Sequence, residues 1–124
     1  MAVMQSRDNR TLVAGEDLSA AQFKFVTLEA DGQADLADSA GETCYGVLLN
    51  QPIAGKAATV CVAGKVLVEA GGTIAAGQTV ACAADGTAVV AGTTGHIIMG
   101  QAYEAAVDGQ IIAIELIQGG NAVA

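Results

Sequence analysis

Hydrophobic residues along this chain alternate with polar ones in short runs, and no stretch sustains a helical period. Gln22–Leu28 (QFKFVTL) spaces Phe23 and Phe25 two apart ahead of branched residues, and Lys65–Glu69 (KVLVE) alternates again. A period of two marks a half-buried strand, because successive side chains leave a strand on opposite faces. The same pattern predicts strands over Gln33–Leu36, Cys44–Asn50, Ala57–Val62, Gln78–Ala83, Thr87–Val90, Ile97–Tyr103 and Gln110–Gln118, with a first strand starting at Thr11–Ala14. Asp31-Gly32, Asp85-Gly86 and Asp108-Gly109 separate them. These are hairpin signals, since glycine supplies a positive φ at low cost. Leu18–Ala21 is predicted as one helical turn and Ala63-Gly64 as a break between two strands. Gly46 inside a strand predicts a bulge or a close backbone approach. Many short strands between closely spaced turns indicate an all-β fold, a small barrel or sandwich-like domain.

The pattern also repeats. Gly46–Val62 (GVLLNQPIAGKAATVCV) returns as Gly100–Leu116 (GQAYEAAVDGQIIAIEL), an offset of 54 residues. The offset carries Gly55 to Gly109 and Val60 to Ile114. Upstream it carries Val26 to Val80, Ala30-Asp31-Gly32 to Ala84-Asp85-Gly86, and Gly41 to Gly95. A two-residue shift aligns Leu18-Ser19-Ala20 with Ile74-Ala75-Ala76. The expected organisation is one β domain over 11–118, built from two pseudo-repeated β units at about 18–62 and 74–116. An extended N-terminal arm (1–10), mobile unless something ties it down, and a loose C-terminal tail (119–124) flank it.

Composition sharpens this picture. The 124 residues include two Phe, two Tyr and no Trp, so side chains that fill a core are scarce. A domain this lean gains from burial against neighbours, since net stability is a small difference between large terms. The formal charge of −8 disfavours binding to phosphate backbones, so nucleic acid is not an expected partner. No apolar run approaches the roughly 20 residues that span a bilayer as a helix, so no membrane partner is expected either. The start MAVMQSRDNR lacks the charged and apolar regions of a secretory signal, which leads to the expectation of a protein made in the cytoplasm.

Candidate chemistry is sparse. His96 is the single histidine, and it opens a strand. Cys44, Cys61 and Cys82 sit among Val, Leu and Ala, where a free cysteine behaves as a small hydrophobe. An enzyme would rest on these four residues alone. Glu29, Asp31, Asp35, Asp38 and Glu42 do not follow the calcium-loop pattern and read as turn formers on a solvated rim. Gly55-Lys56 and Gly64-Lys65 lack the spacing of a phosphate loop. Lys65–Val80 (KVLVEAGGTIAAGQTV) resembles the glycine turns of biotinyl and lipoyl carrier domains, although none of Lys24, Lys56 and Lys65 has the flanking residues of a modified lysine. A carrier-type or small-molecule-binding β-barrel is therefore the alternative reading. No catalytic constellation, cofactor site or metal site is predicted.

Four stretches carry a family resemblance: Ala14–Val26 (AGEDLSAAQFKFV), Gly46–Pro52 (GVLLNQP), Gly71–Gly77 (GGTIAAG) and Asp108–Ile112 (DGQII). Over residues 11–117 the chain resembles the tailed-phage capsid cement, or decoration, protein family. The resemblance implies a non-enzymatic structural protein made in a bacterial host and carried on the outer capsid surface of the virion. It implies trimers at three-fold and quasi-three-fold positions that clamp the major capsid protein after the head expands. For such a role the N-terminal arm is the expected capsid-binding element, with Val3 and Met4 as apolar anchors, Arg7 and Arg10 as cations, and Gln5 and Ser6 between them.

Overall fold

The computed structural model describes residues 4–118 and 121–123. Among them are nine strands and no helix: β1 (Gln5–Val13), β2 (Phe25–Leu28), β3 (Ala34–Leu36), β4 (Gly46–Leu48), β5 (Ala57–Glu69), β6 (Thr79–Cys82), β7 (Ala88–Val90), β8 (Gly100–Ala102) and β9 (Ile111–Leu116). They form one antiparallel sheet in the order β3-β2-β4-β5-β9-β8-β6-β7, with β1 added alongside β5. The sheet curls into a half-barrel, so the all-β, barrel-like expectation holds.

That order is a palindrome, and the repeat is its cause. β2, β3, β4 and the start of β5 recur as β6, β7, β8 and β9, each displaced by 54 residues. The hydrogen bonds recur with them. Phe23 N donates to Leu48 O as Gly77 N donates to Ala102 O, both at 2.8 Å. Across the two-residue shift, Leu18 N donates to Pro52 O as Ile74 N donates to Ala106 O, both at 2.9 Å. Gly46 and Gly100 hold equivalent places: a Cβ on either would run into the backbone carbonyl of β5 (Cys61 O) or β9 (Glu115 O). Only glycine lets the paired strands approach this closely.

β5 joins the halves. Its first part pairs with β4 (Val47↔Cys61, Leu48↔Val60), and its second part pairs with β9 from Gly64↔Leu116 to Glu69↔Ile111. β1 pairs with β5 through Val13↔Ala57 just as the end of β5 pairs with β9 through Glu69↔Ile111. One continuous strand thus closes the first unit and opens the second. The expected break at Ala63-Gly64 is absent. Gly64 takes a φ of 104° within the continuous strand, opposite a bulge in β1, instead of ending it.

Leu18–Lys24 makes two consecutive turns, Ala21 N to Leu18 O at 3.0 Å and Lys24 N to Ala21 O at 3.1 Å, in place of a helical turn at Leu18–Ala21. The described parts of the arm and the tail are also attached. Gln5–Arg10 belongs to β1, so no element boundary falls at residue 10. In the segment expected to be loose, Asn121–Val123 bonds to the Gly95–Ile98 backbone through Ile98 N to Asn121 O and Val123 N to His96 O, at 2.7 and 2.9 Å.

The core divides in two. One cluster gathers Leu18, Val26, Leu48 and Val60 in the first unit. The other runs through both units, from Phe25, Val47 and Cys61 to Val80, Met99 and Ile114. Valine and alanine dominate both, as the shortage of aromatic side chains requires.

Phe23 is the one non-glycine residue with a positive φ (65°) among those described, and its repeat mate is Gly77 (φ 87°). A left-handed conformation costs a side chain roughly 1–2 kcal/mol because Cβ crowds the following carbonyl. Phe23→Gly is therefore expected to be more stable than Phe23→Ala by about 1 kcal/mol. Both lose the half-buried ring, and only the glycine relieves the strain. Urea midpoints of the two variants check this.

Candidate functional site

β1 is the element most open to a partner. Of its nine residues only Asp8 and Leu12 are half-buried, and the rest are exposed. It pairs with β5 and with no other strand among the described residues. An edge strand presents unpaired N–H and C=O groups along its outer side, which is a template for strand addition.

The sequence builds this edge with two anchors. At one end Met4 packs against the larger core cluster, and near the other Leu12 packs against the smaller one. Between them the register slips, since Ser6 pairs with Gly64, Asp8 with Ala63 and Asn9 with Cys61. Arg7 is the extra residue of the bulge. Gly64 makes room for it: a Cβ there would stand 2.5 Å from Arg7 N and 2.7 Å from Gln5 O. The Arg10 guanidinium pairs with Asp8 at 2.8 Å on the exposed surface. Such a pair adds little stability, and it also keeps the edge polar and resistant to indiscriminate pairing. Ala14 ends the strand, bridging in parallel to Ala34 while its N–H donates to Lys56 O.

Of the residues expected to bind, Gln5, Ser6, Arg7 and Arg10 thus share one strand, and Met4 stands just before it, turned partly inward. Val3 lies outside the described residues. The strand pairing itself was missed, because a polar segment of alternating Arg, Asp and Asn carries no hydrophobic period. The signal that finds it is the repeat: the second half of β5 stands two residues outside the 54 offset from β1, as Leu18 does from Ile74.

The remaining candidates are scattered. The acidic residues cluster around β3, where burial of Asp35 and the charges of Glu16, Glu29, Asp31 and Asp38 hold its carboxyl above the usual carboxylate range. No group of three or more His, Cys, Asp or Glu suited to a metal ion occurs among the described residues. His96 is half-buried with its ring against Gly41. Lys65 sits in mid-strand with Nζ 4.5 Å from the Tyr103 ring centroid, not on the hairpin tip that a carrier lysine needs. Tyr103 in turn donates to Glu115 at 2.6 Å beside a cleft of about 430 Å³. All three cysteines are buried. Cys61 Sγ lies 3.2 Å from Ala63 O, and burial pushes its thiol up. Cys44 and Cys82 both bring their sulfurs to Glu42 O, at 3.6 and 3.7 Å, which nothing in their spacing announces.

No protein-family model matches the chain, and no curated protein matches it. Among solved structures, the fold is similar to that of the head fiber gp8.5 N base in bacteriophage phi29. The two share 19% sequence identity with a TM-score of 0.71, over 92% of this chain and 97% of that one.

Proposed function

We propose that this chain is a structural protein of a tailed-phage head: a decoration protein that binds the outer surface of the expanded capsid and stabilises it. The observation that carries this reading is the fold held in common, nearly end to end, with the base domain of a phage head fiber. The residues resembling capsid cement proteins support the same conclusion from the sequence side. The partners are the major capsid protein and two further copies of this chain, in trimers at three-fold and quasi-three-fold positions. No chemistry is assigned to the protein.

The attachment we propose runs through β1. Its outer edge offers backbone groups to a capsid strand, while Arg7 and Arg10 supply two of the five cations of an otherwise acidic chain. Because β1 already lies on β5, its ordering entropy, roughly 1–2 kcal/mol per residue, is largely met before binding. Exposed apolar side chains such as Val13, Leu28, Ile53 and Val107 give neighbours something further to cover.

Co-sedimentation tests this. Purified protein is mixed with phage heads that lack it, in expanded and unexpanded forms. Saturable binding to expanded heads alone, near one copy per capsid subunit, is the expected result. Absence of binding to either form at micromolar concentration would remove the proposal.

A further inference from the structure

We propose that Cys44 and Cys82 form a disulfide-forming site, at which a peroxide converts two buried thiols into one bond stapling the first repeat to the second. The inference is independent of capsid binding. Cys44 stands just before β4 and Cys82 ends β6, so the two come from different units. Both sulfurs converge on one carbonyl: Glu42 O lies 3.6 Å from Cys44 Sγ and 3.7 Å from Cys82 Sγ. Cys82 Sγ is also 3.4 Å from Ser39 O. The two thiols are close enough to perturb each other, Cys44 upward and Cys82 downward.

The loop holding them is fixed from several sides. The Glu42 carboxylate accepts from Asp38 N and Ser39 N at 2.9 and 2.7 Å. Gly41 N donates to Cys82 O, and Ile97 N donates to Gly41 O, both at 2.9 Å. The sulfurs are therefore held together by the backbone before any bond forms.

Their environment also favours reaction. The neighbouring Cys44 thiol draws Cys82 down against the effect of burial, while the same contact and burial push Cys44 up. The thiolate is the reactive form of cysteine, so the pair carries a nucleophile and a proton donor side by side. A cavity of about 210 Å³ lined by Thr43, Cys44, Ile97, Met99 and Gln118 reaches the pair from the Cys44 side. That is ample for a molecule little larger than water.

The chemistry balances with hydrogen peroxide as the oxidant. The Cys82 thiolate attacks one peroxide oxygen; the S–O bond forms, the O–O bond breaks, and the departing hydroxide takes up a proton to give water. Cys44 then attacks the Cys82 sulfenic sulfur. The S–S bond forms, the S–O bond breaks, and the hydroxide leaves as a second water with the Cys44 proton. Two thiols lose two electrons and the peroxide gains them.

The test treats the full chain, natively folded, with hydrogen peroxide, then denatures it and counts thiols. The count is expected to fall from three to one. Non-reducing peptide mapping should find Cys44 linked to Cys82, lighter by two hydrogen atoms, and a reductant should reverse it. The closed loop should raise the thermal midpoint by about 10 °C. Cys61→Ser should keep the linked species, and Cys44→Ser or Cys82→Ser should lose it. Three surviving thiols, a link involving Cys61, a link between two chains, or separate sulfinic acids would each overturn the proposal. The map of the unsubstituted chain decides this even where a serine variant fails to fold.

Discussion

Gly46→Ala is expected to cost roughly 3 kcal/mol of stability, the upper end of what overpacking does, and so to remove much of what holds a domain this size together. The added Cβ would fall inside contact distance of the Cys61 carbonyl oxygen and 2.8 Å from Val60 Cγ1. The carbonyl belongs to β5, which pairs with β1, β4 and β9 and so has least freedom to retreat. Gly100→Ala makes the equivalent collision in the second unit more mildly, at 2.7 Å from Glu115 O and 2.8 Å from Ile114 Cδ1. The isoleucine tip can turn aside, and among the described residues β9 pairs only with β5 and β8. A loss of about 2 kcal/mol is expected there. Gly55→Ala and Gly109→Ala provide the baseline. Both positions have a positive φ (84° and 88°) and open space around them, so about 1–2 kcal/mol of backbone strain is the whole effect. Urea midpoints of the four variants give the ranking. If Gly46→Ala proved as mild as Gly55→Ala, close approach to β5 would not be the reason for the glycine.

These glycines also explain what could be read without coordinates. The offset of 54 was legible because it rests on residues that backbone geometry demands. Gly32 and Gly86 turn hairpins at φ 81° and 83°, and Gly41 and Gly95 repeat at 75° and 87°. Side chains between them drifted, but the turns could not. Gly64 misled for the same reason. A positive φ serves a bulge as well as a chain break, and only the partner strand decides between them. Gln5–Arg10 of β1 was illegible as a strand because all but Asp8 of its side chains are exposed, which leaves no alternation to detect, whereas Thr11–Val13 at its end was read as the start of a strand. The sulfur pair was illegible because residues 44 and 82 are brought together by the folding of one unit onto the other. The 54 offset itself sets them opposite Ile98 and Leu28, so the repeat has no second copy of the pair.

The fate of β1 carries the largest expected effect on attachment. A chain lacking Ala2–Arg10 is expected to stay folded yet bind expanded heads roughly a hundredfold more weakly, equivalent to about 2.7 kcal/mol. Folding should survive because the deleted stretch buries little. Thr11, Leu12 and Val13 still pair with Thr59, Ala58 and Ala57, and Ala14 N still reaches Lys56 O. β5 keeps β4 and β9. Loss of Met4 from the core and of the pairing from Gln5 to Arg10 should lower stability by roughly 1–3 kcal/mol, since each intramolecular hydrogen bond nets about 1 kcal/mol and the freed groups return to water. Attachment has no such substitute, because a capsid strand added to β1 loses its whole backbone template. Arg7→Ala and Arg10→Ala in the full chain separate the two contributions. A smaller loss than deletion indicates recognition by the backbone edge, and an equal loss indicates recognition by charge. Unchanged affinity of a folded, truncated chain would move the attachment site off β1. If the truncated chain did not fold, reversing both charges with Arg7→Glu and Arg10→Glu would keep β1 in place, and undiminished binding by that variant would exclude recognition by charge and leave the backbone edge as the contact.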